Sequence, residues 1–411
     1  MSTRSTQSRT PLALLLSRPR VLTGASFGLS GALFIVANLL LARELAVEQY
    51  ALIALLVGVV NVAMIAAPLG IDGAVARKSV TTSAALLRRV LLSAALVAVV
   101  AALFSRLAYG INLTIAGLLV VCVCAGAIMI VAAARFQALH AFGRSLVYLR
   151  SQDYAVFIAS IATLVAGAHQ ALMPFAVMTG IFLLVAVSAW RDAVRNAGSP
   201  GARMQLSWRE TAAYLSIQLS ATVLMQLEKL LTPTLLTLRD LATLGVVLAL
   251  VGPPFRLLQM TVGYSLQPRL RSATSVAERM RMLTSEAALA AMVVVGSSIV
   301  LWFATPLLLK LLLHDKFAVS AQVLLAALIS GALKVASGFA KACMTALANN
   351  RQLFHVGVIS WVGIALAVAG AAIGARYGLS GVIYGVAVGW AVRILASACF
   401  VAGHLRNAPA T

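Results

Sequence analysis

Acidic residues are scarce in this chain: 11 Asp and Glu stand against 32 Lys and Arg over 411 residues, a formal net charge of +21. Charge of either sign is also sparse, at 10% of residues, while 62% are hydrophobic and the mean hydropathy is +0.99. A soluble domain carries far more charge and less apolar residue, so the chain reads as a polytopic membrane protein. Long polar segments are missing too. No stretch between apolar runs exceeds about 25 residues, which leaves little room for a soluble catalytic domain. The positive charge is dispersed among short segments rather than gathered in one basic domain, so nucleic acid is not an expected partner. Only four cysteines occur, Cys122, Cys124, Cys343 and Cys399, all within apolar runs and without metal-ligand companions. Cys122 and Cys124 would stand about 200° apart on a helix, which argues against a shared metal. A Walker loop, a paired-carboxylate site, a His/Cys cluster and a nucleophile elbow are all absent. His140, His169, His314, His355 and His404 are scattered among loops and span ends. No catalytic residue, metal or cofactor is expected.

What the chain has instead is apolar runs of membrane-spanning length. Twelve are read at roughly 21–42, 50–71, 90–109, 113–134, 152–169, 171–190, 211–235, 241–263, 286–309, 318–347, 354–375 and 379–403. The first follows Arg4, Arg9, Arg18 and Arg20 and is longer than a signal-peptide core, so it reads as a span. The short connections at 168–171 and 375–378 are also compatible with re-entrant pairs. Alternating sides collects 21 Lys and Arg on the face that holds both termini and 6 on the other, leaving five inside the spans. The positive-inside rule then predicts a multi-pass protein of the cell inner (cytoplasmic) membrane with both termini cytoplasmic.

A polar segment at 191–210 divides the spans six and six. The expected organisation is a basic N-terminus (1–20), an N-terminal lobe (21–190), a linker (191–210), a C-terminal lobe (211–403) and a short tail (404–411). Ala138-Leu139-His140-Ala141 followed by Arg144 is similar to Ala346-Leu347-Ala348 followed by Arg351, each closing the fourth span of its half. That correspondence implies parallel repeats, and the predicted fold class is all-α, two six-helix lobes around a central cavity.

The five intramembrane cations are Lys229, Arg256, Lys334, Lys341 and Arg393, with Glu228 as their acidic companion. A charge at the bilayer centre costs roughly 2.5 to 3.5 kcal/mol on insertion scales, so such residues mark a pathway or a polar cavity. Arg256 and Lys341 are close enough to a span end that snorkelling to the interface is an equal reading. Lys229, Lys334 and Arg393 lie deeper. Lys334 and Lys341 share one face of the tenth span with Gly331, Gly338 and Thr345, separated by only about 20° of rotation. The glycines serve either a cavity or a close helix contact. In the seventh span Tyr214, Gln218, Thr222, Met225, Lys229 and Thr232 form a second polar face. Glu228 lies about 100° from Lys229, so it pairs with a base on another helix or acts as a protonatable coupling group, pairing being favoured. Arg393, preceded by Gly381, Gly385 and Gly389, offers a planar fork for phosphate, or an interhelical contact. Gly252-Pro253-Pro254 is expected to bend the eighth span. Asn38 and Asn61 either line the cavity or bond across helices.

Several ordered motifs resemble one family. Leu41-Ala42-Arg43-Glu44-Leu45, Tyr50 and Gly70-Ile71-Asp72-Gly73-Ala74-Val75-Ala76-Arg77 are similar to the opening of polysaccharide and O-antigen flippases of the multidrug/oligosaccharidyl-lipid/polysaccharide (MOP) superfamily. Glu228-Lys229-Leu230-Leu231, Leu244-Gly245, Gln267-Pro268-Arg269-Leu270 and Tyr377-Gly378-Leu379-Ser380-Gly381 resemble its second half, with Glu and Lys where Asp and Arg are frequent. The resemblance implies alternating access and a lipid-diphosphate-linked oligosaccharide as cargo. The expected roles follow. Lys229, Lys334 and Arg393 neutralise the diphosphate or acidic sugars, Arg256 and Lys341 draw the headgroup in, and Gln218, Asn38 and Asn61 add uncharged polar contacts. Anionic membrane lipids and the polysaccharide assembly machinery are the further expected partners. Two alternatives stand beside this reading. A multidrug or cation antiporter of the same superfamily would need intramembrane carboxylates, of which Glu228 is the clear candidate. A membrane glycan polymerase or ligase would need a sizeable outer loop.

Overall fold

The computed structural model describes residues 19–78, 82–195, 208–272, 275–314, 316–347 and 350–406. Most of the basic N-terminus, the centre of the linker, the end of the tail and Ala348 of the second repeat motif lie outside them. The described residues form helices throughout. The first half holds α1 (Pro19–Glu44), α2 (Val47–Ala66), the short α3 (Ile71–Lys78), α4 (Ala84–Tyr109), α5 (Leu113–Ala138), α6 (Phe142–Ala166) and α7 (Leu172–Arg195). The second holds α8 (Trp208–Leu235), α9 (Leu238–Ser272), α10 (Val276–Leu313), α11 (Ala321–Leu347), α12 (Asn350–Gly374) and α13 (Gly378–Arg406).

Local chemistry sets the helix ends. The Ser83 hydroxyl accepts from the Leu86 amide and the Asn112 carboxamide from the Ile115 amide, capping α4 and α5. Ser275 accepts from the Glu278 amide at the start of α10, and the Ser-x-x-Glu spacing is that of a capping box. Gly110 and Gly167, at φ 66° and 59°, end α4 and α6 in the left-handed conformation a Cβ disfavours.

Eight described stretches are long and apolar enough to cross a membrane, the last running through both α12 and α13. α1, α6 and α8 are not among them; α6 opens with Arg144, Arg150 and Asp153, and α8 holds Glu228 and Lys229. Large apolar side chains point outward along α4 and α10, as a lipid-facing surface requires; Leu107 is 78% exposed and Phe303 71%.

The same helix pairings recur in the two halves. In the first, α1 packs on α6, α2 on α5, and α7 on both α5 and α6. Their counterparts are α8 on α12, α9 on α11, and α13 on both α11 and α12. Two lobes of one topology result. They meet where α1 and α2 pack on α8 and α9. Glycine lets this interface close: a Cβ at Gly58 would meet Lys229, and one at Gly245 would meet Ala54 and Tyr50 at 3.2 Å.

One expectation needs correction. The fifth span was expected to begin at 152, but α6 begins at Phe142, ten residues earlier in the sequence than a hydropathy reading places it. Ser145, Tyr148, Arg150, Ser151, Gln152 and Asp153 are all buried there, so the helix continues by packing its polar turns inside the protein. Gly252-Pro253-Pro254, expected to bend the eighth span, lies within α9, which runs from Leu238 to Ser272 as one helix. The connections at 168–171 and 375–378 are tight turns between consecutive helices. The second is a single turn of 3-10 helix ending at Gly378.

Candidate functional site

Between the lobes lies a cavity of about 1050 Å³ including its open mouth. Six helices line it: α1, α2, α6, α8, α9 and α11. Its charged walls are Arg150 and Asp153 from α6, Lys229 from α8, Arg256 from α9 and Lys334 from α11. Asn61, Gln152, Gln226 and Gln259 add carboxamides, and Phe34 and Phe255 add aromatic surface. Lys229 sits within electrostatic reach of Arg256 and Lys334, and Arg150 within reach of Arg256, so four cations share one enclosed volume.

Glu228 completes this arrangement from behind. It is fully buried, and its carboxylate accepts from the Ser330 hydroxyl at 2.5 Å and from Lys334 Nζ at 2.9 Å to each oxygen. One turn of α11 separates Ser330 from Lys334, so both reach the same carboxylate. Arg150 Nη1 stands 3.5 Å from Asp153 Oδ2 on the same helix face. Lys334 and Arg150 therefore have carboxylate partners. Lys229 and Arg256 have none among the described residues. They are the cations with free capacity for an incoming anion.

Of the residues singled out in the sequence, Lys229, Lys334, Arg256 and Asn61 line this cavity. Arg393 and Lys341 do not. Gln218 is exposed on α8, and Asn38 donates to the Phe34 carbonyl at 2.8 Å within its own helix. Arg150, Gln152, Asp153, Gln226, Gln259 and Ser330 were missed. Arg150 had been assigned to a connecting loop, so the first lobe was expected to contribute only uncharged polar groups. The structure corrects this: the first lobe brings one cation and one anion of its own. A signal was present in the sequence, since Ser145, Tyr148, Gln152 and Val156 recur at helical steps and carry one uncharged face back across the charged turn.

Gly331 and Gly338 face α9, where a Cβ would run into the Phe255 ring and the Gln259 side chain respectively. Close packing and cavity formation coincide at this point, because Gly331, Phe255 and Gln259 all line the cavity.

The lobes are latched at the end of the bundle where α1 finishes. Lys316, in the loop before α11, donates from Nζ to the carbonyls of Ala42, Arg43 and Leu45 at 2.8, 3.0 and 2.5 Å. These are the carbonyls a helix C-terminus leaves unpaired, and the negative end of the helix dipole favours a cation there. Beside it the Tyr50 and Phe317 rings meet edge to face with centroids 6.0 Å apart. Tyr109 adds a hydrogen bond from α4 to the Leu230 carbonyl of α8 at 3.0 Å.

At the level of sequence, no family model and no curated protein matches the chain. Solved structures do. The chain is similar to the lipid II flippase MurJ in an inward closed conformation, with a TM-score of 0.65, 13% identity, and 93% of this chain and 87% of that chain covered. An inward-facing multidrug resistance MATE family transporter of the MOP superfamily gives a TM-score of 0.62 at 13% identity over 92% of this chain and 96% of that one. A MOP superfamily transporter from Pyrococcus furiosus, described as having a binding pocket of reversed polarity, gives 0.52 at 13% over 97% and 98%. The fold is that of the MOP transporters.

Proposed function

We propose that this chain, built on the MOP fold, is a flippase that moves a polyprenyl-diphosphate-linked oligosaccharide across the cytoplasmic membrane by alternating access, in polysaccharide or O-antigen biosynthesis. The observation that carries this reading is the cavity's charge: Arg150, Lys229, Arg256 and Lys334 against Asp153 and Glu228. An anionic headgroup leaving water needs compensation, and Lys229 and Arg256 supply it without first breaking an ion pair. The carboxamides of Asn61, Gln152, Gln226 and Gln259 suit the hydroxyls of sugars, each offering both a donor and an acceptor. Both termini face the cytoplasm in this reading, by the asymmetry of Lys and Arg between the two faces. The lipid-linked cargo approaches from that side, where anionic lipids and the polysaccharide assembly machinery are the further proposed partners.

The test is transport of a fluorescent polyprenyl-diphosphate oligosaccharide in proteoliposomes. Wild-type protein is expected to move it between leaflets, and the Lys229→Gln/Arg256→Gln double variant to lose this activity at equal reconstitution. Undiminished transport by the double variant overturns the reading.

A multidrug or cation antiporter is the second reading, supported by the MATE neighbours. Its carboxylates would have to receive a cationic substrate or coupling ion, but Glu228 is bonded to Lys334 and Asp153 stands beside Arg150. Drug resistance conferred on an efflux-deficient host would favour it.

A further inference from the structure

The charges around the central cavity divide into balanced and unbalanced ones. Lys334 is bound to Glu228 and Arg150 stands beside Asp153, so two of the four cations already have a carboxylate within the protein. Lys229 and Arg256 are in none of the ion pairs among the described residues. Two positive charges are left over. A diphosphate joined to a lipid at one end and to a sugar at the other keeps one negative charge on each phosphate, which is the charge that Lys229 and Arg256 neutralise. Among the lining residues no cation without a carboxylate then remains for a further acid on the cargo.

Asp153 adds a preference of its own. It is the one carboxylate on the cavity wall among the described residues, since Glu228 lies behind that wall. Its Oδ2 is 3.5 Å from Arg150 Nη1, the long limit of a hydrogen bond, and its Oδ1 has no hydrogen-bond partner among the described residues. A carboxylate accepts hydrogen bonds and donates none, so a sugar hydroxyl or amide N–H facing Asp153 forms a charge-assisted bond. A sugar carboxylate at the same place brings no donor and is repelled. Arg150 lies within electrostatic reach of Arg256, so Asp153 stands next to the cations that take the phosphates. The sugar bonded directly to the diphosphate is the part of the glycan that meets it.

We infer that the first sugar of the cargo carries no carboxylate, and that Asp153 is the residue that excludes acidic sugars from this position. The inference rests on the lipid-linked cargo proposed for the same cavity and narrows it to a neutral, hydroxyl-rich glycan next to the diphosphate. Selection of this kind needs a repulsive group against the wrong cargo as well as contacts to the right one. Asp153 serves both ends, because the oxygen that accepts from a hydroxyl is the one that repels a carboxylate. The carboxamides of Asn61, Gln152, Gln226 and Gln259 complete a wall suited to uncharged sugars.

The experiment measures binding to the full chain in nanodiscs of zwitterionic phospholipid. Its probes are fluorescent polyprenyl-diphosphate glucose and polyprenyl-diphosphate glucuronic acid, which differ only in the oxidation of one hydroxymethyl group to a carboxylate. Wild-type protein is expected to bind the glucose probe about tenfold more tightly. Asp153→Asn removes the repulsion and is expected to narrow that ratio to about twofold, chiefly by tightening the glucuronate probe, while Asp153→Glu is expected to preserve it. Equal affinities in the wild-type protein, or a preference for the glucuronate, overturn the inference. So does a ratio that survives Asp153→Asn in protein that melts like the wild type, because the selection then comes from elsewhere. Binding of sugar-free polyprenyl diphosphate with neither glycosylated probe retained overturns it as well and leaves the phosphate site standing. No binding of any of these probes overturns the cargo assignment with it.

Discussion

Lys229 and Lys334 are the same residue type in the same cavity, and their partners give them different tasks. Lys334 is held by both oxygens of a fully buried carboxylate. Truncating one member of such a pair strands the other, which costs about 3 to 5 kcal/mol, whereas replacing both by apolar or neutral groups is often close to neutral. Lys334→Met alone is therefore expected to lower the melting temperature in detergent sharply, and Glu228→Gln/Lys334→Met to recover most of the loss. Additive losses in this double-mutant cycle would show that the two side chains do not act as a pair. Lys229 has no carboxylate to strand. Lys229→Gln is expected to leave the melting temperature nearly unchanged while weakening retention of a polyprenyl diphosphate by about tenfold, the value of one charge-assisted hydrogen bond of 1.5 kcal/mol. The pairing of Glu228 was the reading favoured from its offset on the helix. Its partner was not legible, because Lys334 is 106 positions away and only the packing of both α8 and α11 on α9 and α13 brings them together.

At the scale of elements, the α12 and α13 pair shows how small residues set a helix contact. Gly363, Gly370 and Gly374 on α12 oppose Gly389, Gly385 and Gly381 on α13, and a Cβ at Gly370 would lie 2.8 Å from the Gly385 carbonyl oxygen. Backbone rather than side chain stands at the contact, so nothing soft can yield. Gly385→Ala is expected to destabilise the protein by about 1 to 3 kcal/mol through overpacking, read as a lower melting temperature. Gly296→Ala, at a position where an added Cβ meets nothing within 4 Å, is the matched control and is expected to have no such effect. This stripe was readable in the sequence as one suited to tight packing, since its three glycines recur every fourth residue. The early start of α6 was harder to see. A hydropathy window rejects Arg150 and Asp153, and only the burial of the whole turn inside the protein makes that helix start at Phe142.

For the whole molecule, the latch at Lys316 ties a second-lobe loop to the end of α1 across 271 to 274 positions of sequence. The central cavity lies below this contact, toward the face where α1 begins. Alternating access requires the latch to open in the opposite state. Lys316→Ala removes three charge-assisted bonds to carbonyls, of which a few kcal/mol bias the closed arrangement. Spin labels placed at Ala46 and Val319 in this variant are expected to report a larger population of long distances than in the wild-type protein. An unchanged distribution would show that the apolar contacts around Phe317 hold this end shut without the lysine.

The sequence by itself determined the class of molecule: its excess of apolar residues forces helices through a bilayer, and the polar segment at 191–210 divides the apolar runs six and six. It also marked Lys229, Lys334 and Arg256 as anomalous, because a charge in an apolar run is costly wherever the helix later packs. Tertiary structure alone decided which of these charges act together. Arg393 and Lys341 were grouped with the cavity by depth, yet they do not line it; Arg150 was set aside as loop and Asp153 passed over at the start of a span, yet packing carries both into the cavity. Depth along a helix follows from counting residues in one chain segment. Which neighbour a side chain meets depends on how distant segments turn and cross, and no single segment contains that information.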